Sequence, residues 1–485
     1  MTNIDAVAAG PARGSDTPAD LGVLRWLVAA TFIVILNETI LVNAIPRLMT
    51  EFDVTARAAQ WLSTAFMLTM AVVIPVTGWF LQRVTTRAAF AVAMTTFCAG
   101  TLLAAVAPTF GVLLAARVVQ ASGTAVMMPL LMTTLMTIVP AHDRGRVMGN
   151  VTLAMSVAPA LGPAVSGVVL QLGSWRWMFG LVLPVAAAIG VVGLRRLVNV
   201  GVPQAGSVDW ASVGLSAVGF GGFVYGLTLI GSPDAPVPPA LAIVGGAAAV
   251  GAFVWRQLVL QRSERPLLDL RTLRIPTYAV ALSLMAIAFM AMLGSMILLP
   301  LYLQDVRGLT ALQTGLLVAP GGIAMGLLGP KVGRVFDRYG SRPLVVPGAV
   351  GIAVALGLFT QVDLETPIWS VLVAHVLLMV SLAAVFTPVF TVGLGALPMH
   401  LYSHGSSLLG ASQQVAAAIG TAIVVTVLSS RTTSLAQDGQ DLAHATVGGM
   451  QWAFAVGAVL SLLVLGLAFF LPNRADEPAA PATSS

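Results

Sequence analysis

The chain has 485 residues, of which 58% are apolar and only 9% charged, and its mean hydropathy is +0.93. A soluble domain carries roughly a quarter charged residues, so this composition excludes a soluble enzyme, a secreted disulfide scaffold and a nucleic-acid binder. The single cysteine, Cys98, permits no intrachain disulfide and no cysteine metal cluster.

The first 20 residues are rich in Ala, Gly, Pro and Asp and contain no apolar h-region, so no cleavable signal peptide is expected. Residues 1–23 and 472–485 read as disordered tails. Between them lie fourteen apolar runs, at about 24–45, 60–81, 88–107, 111–137, 147–170, 177–194, 209–231, 238–256, 277–301, 311–330, 344–361, 367–392, 405–430 and 448–471. They predict an all-α polytopic membrane protein with 14 transmembrane helices. With a cytoplasmic N-terminus, 18 of the 24 basic residues fall inside, five fall outside, and Arg117 lies within the fourth run. The positive-inside rule therefore predicts both termini in the cytoplasm. One Lys against 23 Arg, with heavy Ala and Val use, fits a GC-rich bacterial genome and hence a bacterial plasma (inner) membrane.

Of 19 acidic residues, Glu38 alone lies well inside an apolar run. A carboxylate or a guanidinium costs at least ~2.5–3.5 kcal/mol at the centre of a lone helix, so Glu38 and Arg117 must face a polar cavity or each other. Glu38 is about 13 residues, ~20 Å, from the inner end of its run, and Arg117 about 6 residues, ~10 Å, from the outer end of its own. In a core ~30 Å thick both sit in the outer half. They are close enough in depth to pair, with Asn37 and Gln120 as alternative polar neighbours.

One loop recurs. Gly78-Trp-Phe-Leu-Gln82-Arg83-Val-Thr-Thr-Arg87 follows the second run, and Gly333-Arg-Val-Phe-Asp337-Arg338-Tyr-Gly340-Ser-Arg342 follows the tenth. Glycine permits close helix approach, the aspartate accepts from arginine or from helix N-terminal amides, and the turn glycine allows an open φ. A plain basic loop explains the arginines but not Asp337 or Gly340. The second copy resembles the G-x-x-x-D-R-x-G-R signature of the major facilitator superfamily. More matches follow. Leu36-Asn37-Glu38-Thr39-Ile40 through Ala44-Ile45-Pro46 resembles the first-helix motif L-D-x-T-I-V-N-V-A-L-P, and Arg117-Val-Val-Gln120-Ala-Ser-Gly123 resembles R-x-x-Q-G-x-G. Gly162-Pro163-Ala-Val-Ser166-Gly167 resembles the G-P-x-x-G-G antiporter motif, and Trp175-Arg176-Trp177-Met-Phe179 matches W-R-W-x-F. Pro300-Leu-Tyr302-Leu-Gln304 with Gly308, Gly315 and Pro320-Gly321, then Gly405 to Gly420 with Gln413 and Gln414, complete the series. Over about 24–471 the chain is similar to the fourteen-helix drug:proton antiporter branch of that superfamily.

The departures are informative. Asn37 stands where the branch has its first-helix Asp, and a carboxylate appears one position later at Glu38, ~100° around the helix. Gln82 and Thr85 replace the Asp and Gly of the first loop, which weakens that latch.

The resemblance implies two six-helix bundles, 24–194 and 277–471, joined by a linker at 195–276 that carries two extra helices, with a midplane site between bundles that rock. It implies a proton-coupled multidrug efflux transporter in which Glu38 and Arg117 handle the proton. Expected cavity residues are Asn37, Trp61, Phe66, Gln120, Asn150, Met155, His375, Gln413 and Gln414. Gly162, Pro163 and Gly167 carry the antiporter motif; Gly333, Asp337, Arg338, Gly340, Arg342, Arg83 and Arg87 form the cytoplasmic latch. A single membrane carboxylate points to lipophilic neutral or monocationic substrates, moved by a monomer that needs the proton gradient and no cofactor or metal. His375, the one deeply placed histidine, is read as a bundle-facing hydrogen-bonded imidazole before a proton relay. His142, His400, His404 and His444 lie at loops or helix ends with no metal-site spacing, and Gly219 to Gly226 lacks the preceding strand of a dinucleotide loop. Competing readings are a dedicated exporter of one lipid or secondary metabolite and a proton symporter. A membrane enzyme or receptor would need a catalytic pair or a large outer domain, and the longest loops are about 20 residues.

Overall fold

A computed structural model describes residues 22–474 apart from 201, 202, 205, 232–234 and 264. The helices in chain order are α1 (Gly22–Ile40), α2 (Ile45–Phe52), α3 (Ala56–Arg83), α4 (Thr86–Ala105), α5 (Phe110–Ile138), α6 (Arg144–Leu172) and α7 (Arg176–Arg196). They continue with α8 (Trp210–Ser216), α9 (Gly222–Thr228), α10 (Pro239–Gln261), α11 (Pro276–Leu301), α12 (Ala311–Tyr339), α13 (Arg342–Phe359), α14 (Ile368–Gly395), α15 (Tyr402–Gln437) and α16 (Leu442–Phe470). Among the described residues, 13 helices are long and apolar enough to span a membrane. The 29-residue α6 occupies the remaining predicted run. A π turn at Ala217–Gly221 joins α8 and α9 into one span.

Local chemistry sets the boundaries. Thr55, Thr85 and Thr109 each cap the next helix by accepting from its third backbone N–H, and Thr310 and Gln313 form a reciprocal capping box. The first run, expected at 24–45, stops as a helix at Ile40. Pro46 has no N–H to continue the ladder, and its ring would strike the carbonyl four residues back. The chain therefore turns through Val42–Ala44 and restarts as the short helix α2 with proline in its first turn. Glu51 on α2 accepts from Trp175 Nε1 at 2.7 Å and from Arg176 Nη1, and the Arg176 bond holds its carboxyl below the usual range. This staples α2 to the α6–α7 corner.

The helices pack in two sets, α1 with α3–α7 and α11–α16, with α8–α10 lying against α3 and α15. The arginine-bearing turns between α3 and α4, α5 and α6, and α12 and α13 gather at one end, here the arginine-rich end. Exposed Trp177 and Trp369 begin helices at the far end, whereas exposed Trp210 and Trp255 lie near the arginine-rich end. That distribution matches two aromatic belts with lipid-facing leucines and valines between them. Three residues of the predicted C-terminal tail are described. Residues 472–474 are pinned to the α12–α13 turn, where Ser341 N–H donates to the Asn473 carbonyl at 2.8 Å and Arg474 Nη2 donates to the carbonyls of Asp337 and Arg338. The rest of both predicted tails, 1–21 and 475–485, lies outside the described residues.

The linker is held by a clamp of its own. Arg256 Nε and Nη2 donate to the two oxygens of Asp209, both at 2.7 Å, and fully buried Gln257 donates to Ser212 Oγ while accepting from the N–H groups of Leu267 and Leu268. The Arg256 bonds, helped by Ser212, hold the Asp209 carboxyl down to about 2. A depressed folded-state value gives stability that is complete above the ordinary carboxylate range, near 4, and is lost as pH falls through about 2. Arg256→Gln is expected to lower the melting temperature in detergent at pH 7. It should also remove the part of the acid sensitivity that wild type shows between about 4 and 2, as a pH series of thermal melts will show.

Candidate functional site

The two membrane charges are brought together without touching. Glu38, near the end of α1, is half-buried, and Arg117 on α5 is 1% exposed. Each charge acts on the other, yet no ion pair within 4.0 Å joins them among the described residues. Arg117 instead donates through Nη1 to Gln120 Oε1 at 3.0 Å and through Nε to the Leu62 carbonyl at 3.4 Å, and its guanidinium lies over the Phe66 ring, 4.2 Å from the centroid. Gln120 passes the chain on, donating from Nε2 to Thr101 Oγ1 at 3.0 Å. Glycine makes the room: a Cβ on Gly100 would lie 2.5 Å from the Gln120 nitrogen. The guanidinium is thus anchored by a neutral network and not by the Glu38 carboxyl.

Asn37 and Glu38 face different ways. Asn37 is 0% exposed, and neither its Nδ2 nor its Oδ1 has a hydrogen-bond partner. An unpaired buried amide costs about 1–3 kcal/mol, so this residue destabilises the fold as it stands. Asn37→Leu is therefore expected to raise the melting temperature while lowering transport. An unchanged transport rate in the same preparation would make Asn37 a mere packing defect.

The Gly162–Gly167 stretch lies beside this acid. A Cβ on Gly162 of α6 would overlap the side chain of Thr39, the residue after Glu38, so glycine is what lets α6 press against α1 here. Ser166 Oγ accepts from Asn43 Nδ2 at 2.9 Å just beyond. Gly167 has open space around it, and the side chain of Pro163 lies outside the described residues.

At the arginine-rich end the two helix sets close on each other along two seams, α6 with α12 and α3 with α15. In the first, Gly145 and Gly149 run antiparallel to Gly333 and Gly329. A Cβ on Gly333 would overlap the Gly145 carbonyl, and one on Gly329 would lie 2.5 Å from the Gly149 oxygen. Asp337 completes this seam by accepting from the N–H of Gly145 at 2.8 Å and of Arg146 at 2.7 Å, so its carboxylate sits on the positive N-terminus of α6. Hydroxyls bridge the rest: Thr77 with Ser407 at 2.7 Å, Thr133 with Ser406 at 2.8 Å, and Thr152 with Thr387 at 2.9 Å. In the second seam Gln82 Nε2 donates to the His400 carbonyl at 2.9 Å, so the first loop still crosses the interface although its aspartate is absent.

Several expected residues lie elsewhere. Trp61 packs on Tyr225 of α9, 5.7 Å between ring centroids, and so faces the linker helices. Phe66 is packed under Arg117 with Met70, Ile74 and Ala411, Asn150 is exposed, and Met155 packs against the main core. Gln413 and Gln414 are half-buried in α15. His375 is 3% exposed between α12 and α14, with Nε2 3.2 Å from the Val318 carbonyl and Nδ1 unpartnered; Gly321 provides its notch. Of the latch arginines, Arg87 donates to the Leu194 carbonyl within its own set, Arg338 lies over Tyr339, and Arg342 N–H donates to Asn473 Oδ1. Gly340 ends α12 at φ +86°, a conformation suited to glycine. Arg83 lies over Trp79. Composition missed the glycine pairs and the seam hydroxyls, although Gly145/Gly149 and Gly329/Gly333 do show the small-x-x-x-small spacing.

Two helix sets meeting at one end, with a sparse charge pair buried within, define a polytopic membrane transporter. The chain belongs to the Major Facilitator Superfamily, whose family profile matches residues 27–421. It is 38% identical over 458 residues to YcnB, an uncharacterised transporter of this type from Bacillus subtilis, covering 94% of this chain and 96% of that one. It is 37% identical over 466 residues to the lincomycin resistance protein LmrB of Listeria monocytogenes, covering 95% and 98%. A multidrug resistance protein B homolog of Mycobacterium tuberculosis is 29% identical over 417 residues, covering 84% and 77%. The proton:xylose symporter XylE shares the fold with a TM-score of 0.67 at 16% identity, covering 94% of this chain and 97% of the other.

Proposed function

We propose that this transporter exports lipophilic neutral or monocationic compounds in exchange for protons, with Glu38 as the coupling carboxyl. The observation that carries this reading is the placement of Glu38: half-buried, within reach of the Arg117 charge but not bonded to it, and beside the Thr39–Gly162 contact. With the arginine-rich end in the cytoplasm, the seams close the cytoplasmic side, so this state takes protons from outside. A protonated Glu38 carries no charge, and burying it no longer costs the desolvation of an ion. The bundles then rock, the proton leaves inward, and a drug takes the vacated cavity. A monocation offsets the Glu38 charge as a proton does, which makes drug and proton alternatives at one site. The chain supplies both bundles itself and is proposed to act as a monomer, with the proton gradient as its only energy source, in a bacterial plasma membrane.

Relatives named for lincomycin resistance and multidrug resistance support efflux as the direction. The test is accumulation of ethidium and of lincomycin in cells expressing the chain. Lower accumulation that a protonophore restores supports the proposal. Lower accumulation of lincomycin alone narrows it to a dedicated exporter, and accumulation raised by expression reverses the direction and contradicts it.

A further inference from the structure

The two seams are repeat-related but chemically unequal. Gly78, Gln82 and Arg83 of α3 stand in the places of Gly333, Asp337 and Arg338 of α12. Where Gly333 meets the backbone of Gly145, Gly78 meets His404: a Cβ on Gly78 would lie 3.0 Å from His404 Nδ1 and 3.2 Å from its Cα. One seam is therefore closed by a carboxylate on a helix N-terminus and the other by an imidazole. That imidazole is 3% exposed and its Nδ1 has no hydrogen-bond partner. Around it stand Arg83 from α3, Asp269 and Arg271 from the segment before α11, and His400 from the turn before α15. Asp269 is bridged to Arg271 at 2.8 Å, and Arg83 Nε is buried without a partner.

We propose that His404 is a proton-binding site that governs opening of the cytoplasmic seam. Neutral, it packs against Gly78 and the seam closes. Its Nδ1 faces α3, so a proton gained on the ring would put a positive charge beside Arg83 and Arg271 with Asp269 already bridged to Arg271. A state in which α15 has swung away from α3 admits water to that nitrogen and spreads the charges apart. Protonation from the cytoplasm therefore favours the open seam, and closing the seam returns the proton to the cytoplasm, because a ligand that binds one state better shifts the population toward it. This rests on the transport reading for its place in the cycle, and its test needs no substrate.

The experiment places spin labels on the exposed ends of α7 and α12 (Arg196→Cys and Arg334→Cys in a Cys98→Ala background) and measures their separation in nanodiscs by pulsed electron resonance. Between about pH 8 and 5.5, the window of an accessible imidazole, the short-distance population is expected to give way to a longer one. His404→Gln should remain short across the whole range, and His404→Arg should be long even at the alkaline end. Glu38→Gln, which by itself favours the state suited to a neutral side chain, should displace the starting populations yet keep a pH-dependent change that is lost in the Glu38→Gln/His404→Gln double variant, which separates this switch from the coupling acid. A His404→Gln protein with the wild-type pH response overturns the proposal, and so does a wild type whose distances ignore pH. Monodisperse elution of each variant shows that it has folded.

Discussion

Glu38→Gln is expected to reduce gradient-driven drug uptake to the background of vesicles lacking the protein, while leaving the protein folded and its drug binding largely intact. Glutamine keeps the size and hydrogen-bonding shape of the protonated acid but never acquires the charge, so the cycle stalls in whichever state favours a neutral side chain. The structure adds a specific corollary. Because Arg117 is held by Gln120 and the Leu62 carbonyl and not by Glu38, removing the carboxylate does not strand a salt-bridge partner. The melting temperature should change little, whereas Arg117→Ala, which empties a fully buried site and unpairs Gln120, should cost several degrees. Glu38→Asp should retain part of the coupling, since the acid remains but is drawn back toward the helix. Thermal melts beside transport assays separate these outcomes.

A second large effect is expected at the glycine seam. Gly333→Val drives a branched side chain into the Gly145 carbonyl, and small-to-large changes in a packed contact cost about 1–3 kcal/mol. That penalty falls on the closed state alone, so the equilibrium should shift toward the open seam by about 5- to 150-fold. Transport should fall, and cysteine labels placed along the seam should become accessible to a water-soluble maleimide. Asp337→Asn should move the equilibrium in the same direction, because the single amide oxygen can accept from only one of the Gly145 and Arg146 N–H groups, the NH2 meets the other donor, and the full charge is lost. Gly357→Val is the control, since a side chain there meets nothing within 4 Å. Equal loss of transport in Gly333→Val and Gly357→Val would mean that the glycine contact has no role in gating.

The architecture was legible because the bilayer imposes so few solutions: apolar runs long enough to span, loop arginines and a repeated loop sufficed. Glu38 stood out for the same reason, as the one acid in hydrophobic sequence. What the sequence did not disclose was how side chains share space. Trp61 reads as a cavity aromatic by position, yet it packs on Tyr225 because the linker helices cover that face of α3. Depth leaves Glu38 and Arg117 able to pair, with Asn37 and Gln120 as alternative neighbours, and only the fold shows that Gln120, three residues along α5, takes the guanidinium. The latch reads in sequence as glycine for close helix approach and Asp337 for arginine or helix N-terminal amides; the fold adds that these amides are those of Gly145 and Arg146 and that the glycines meet a helix nearly two hundred residues away in sequence. His404 was set aside as a helix-end histidine, and only the fold shows that this end is buried in a seam.

The most direct test of the account uses everted vesicles energised to an acidic interior. Ethidium uptake and the pH gradient are recorded together for wild type and Glu38→Gln. Wild type is expected to take up dye with partial collapse of the gradient, and the variant to do neither. Full gradient-driven uptake by Glu38→Gln would show that the coupling proton travels by another residue and would contradict the central claim.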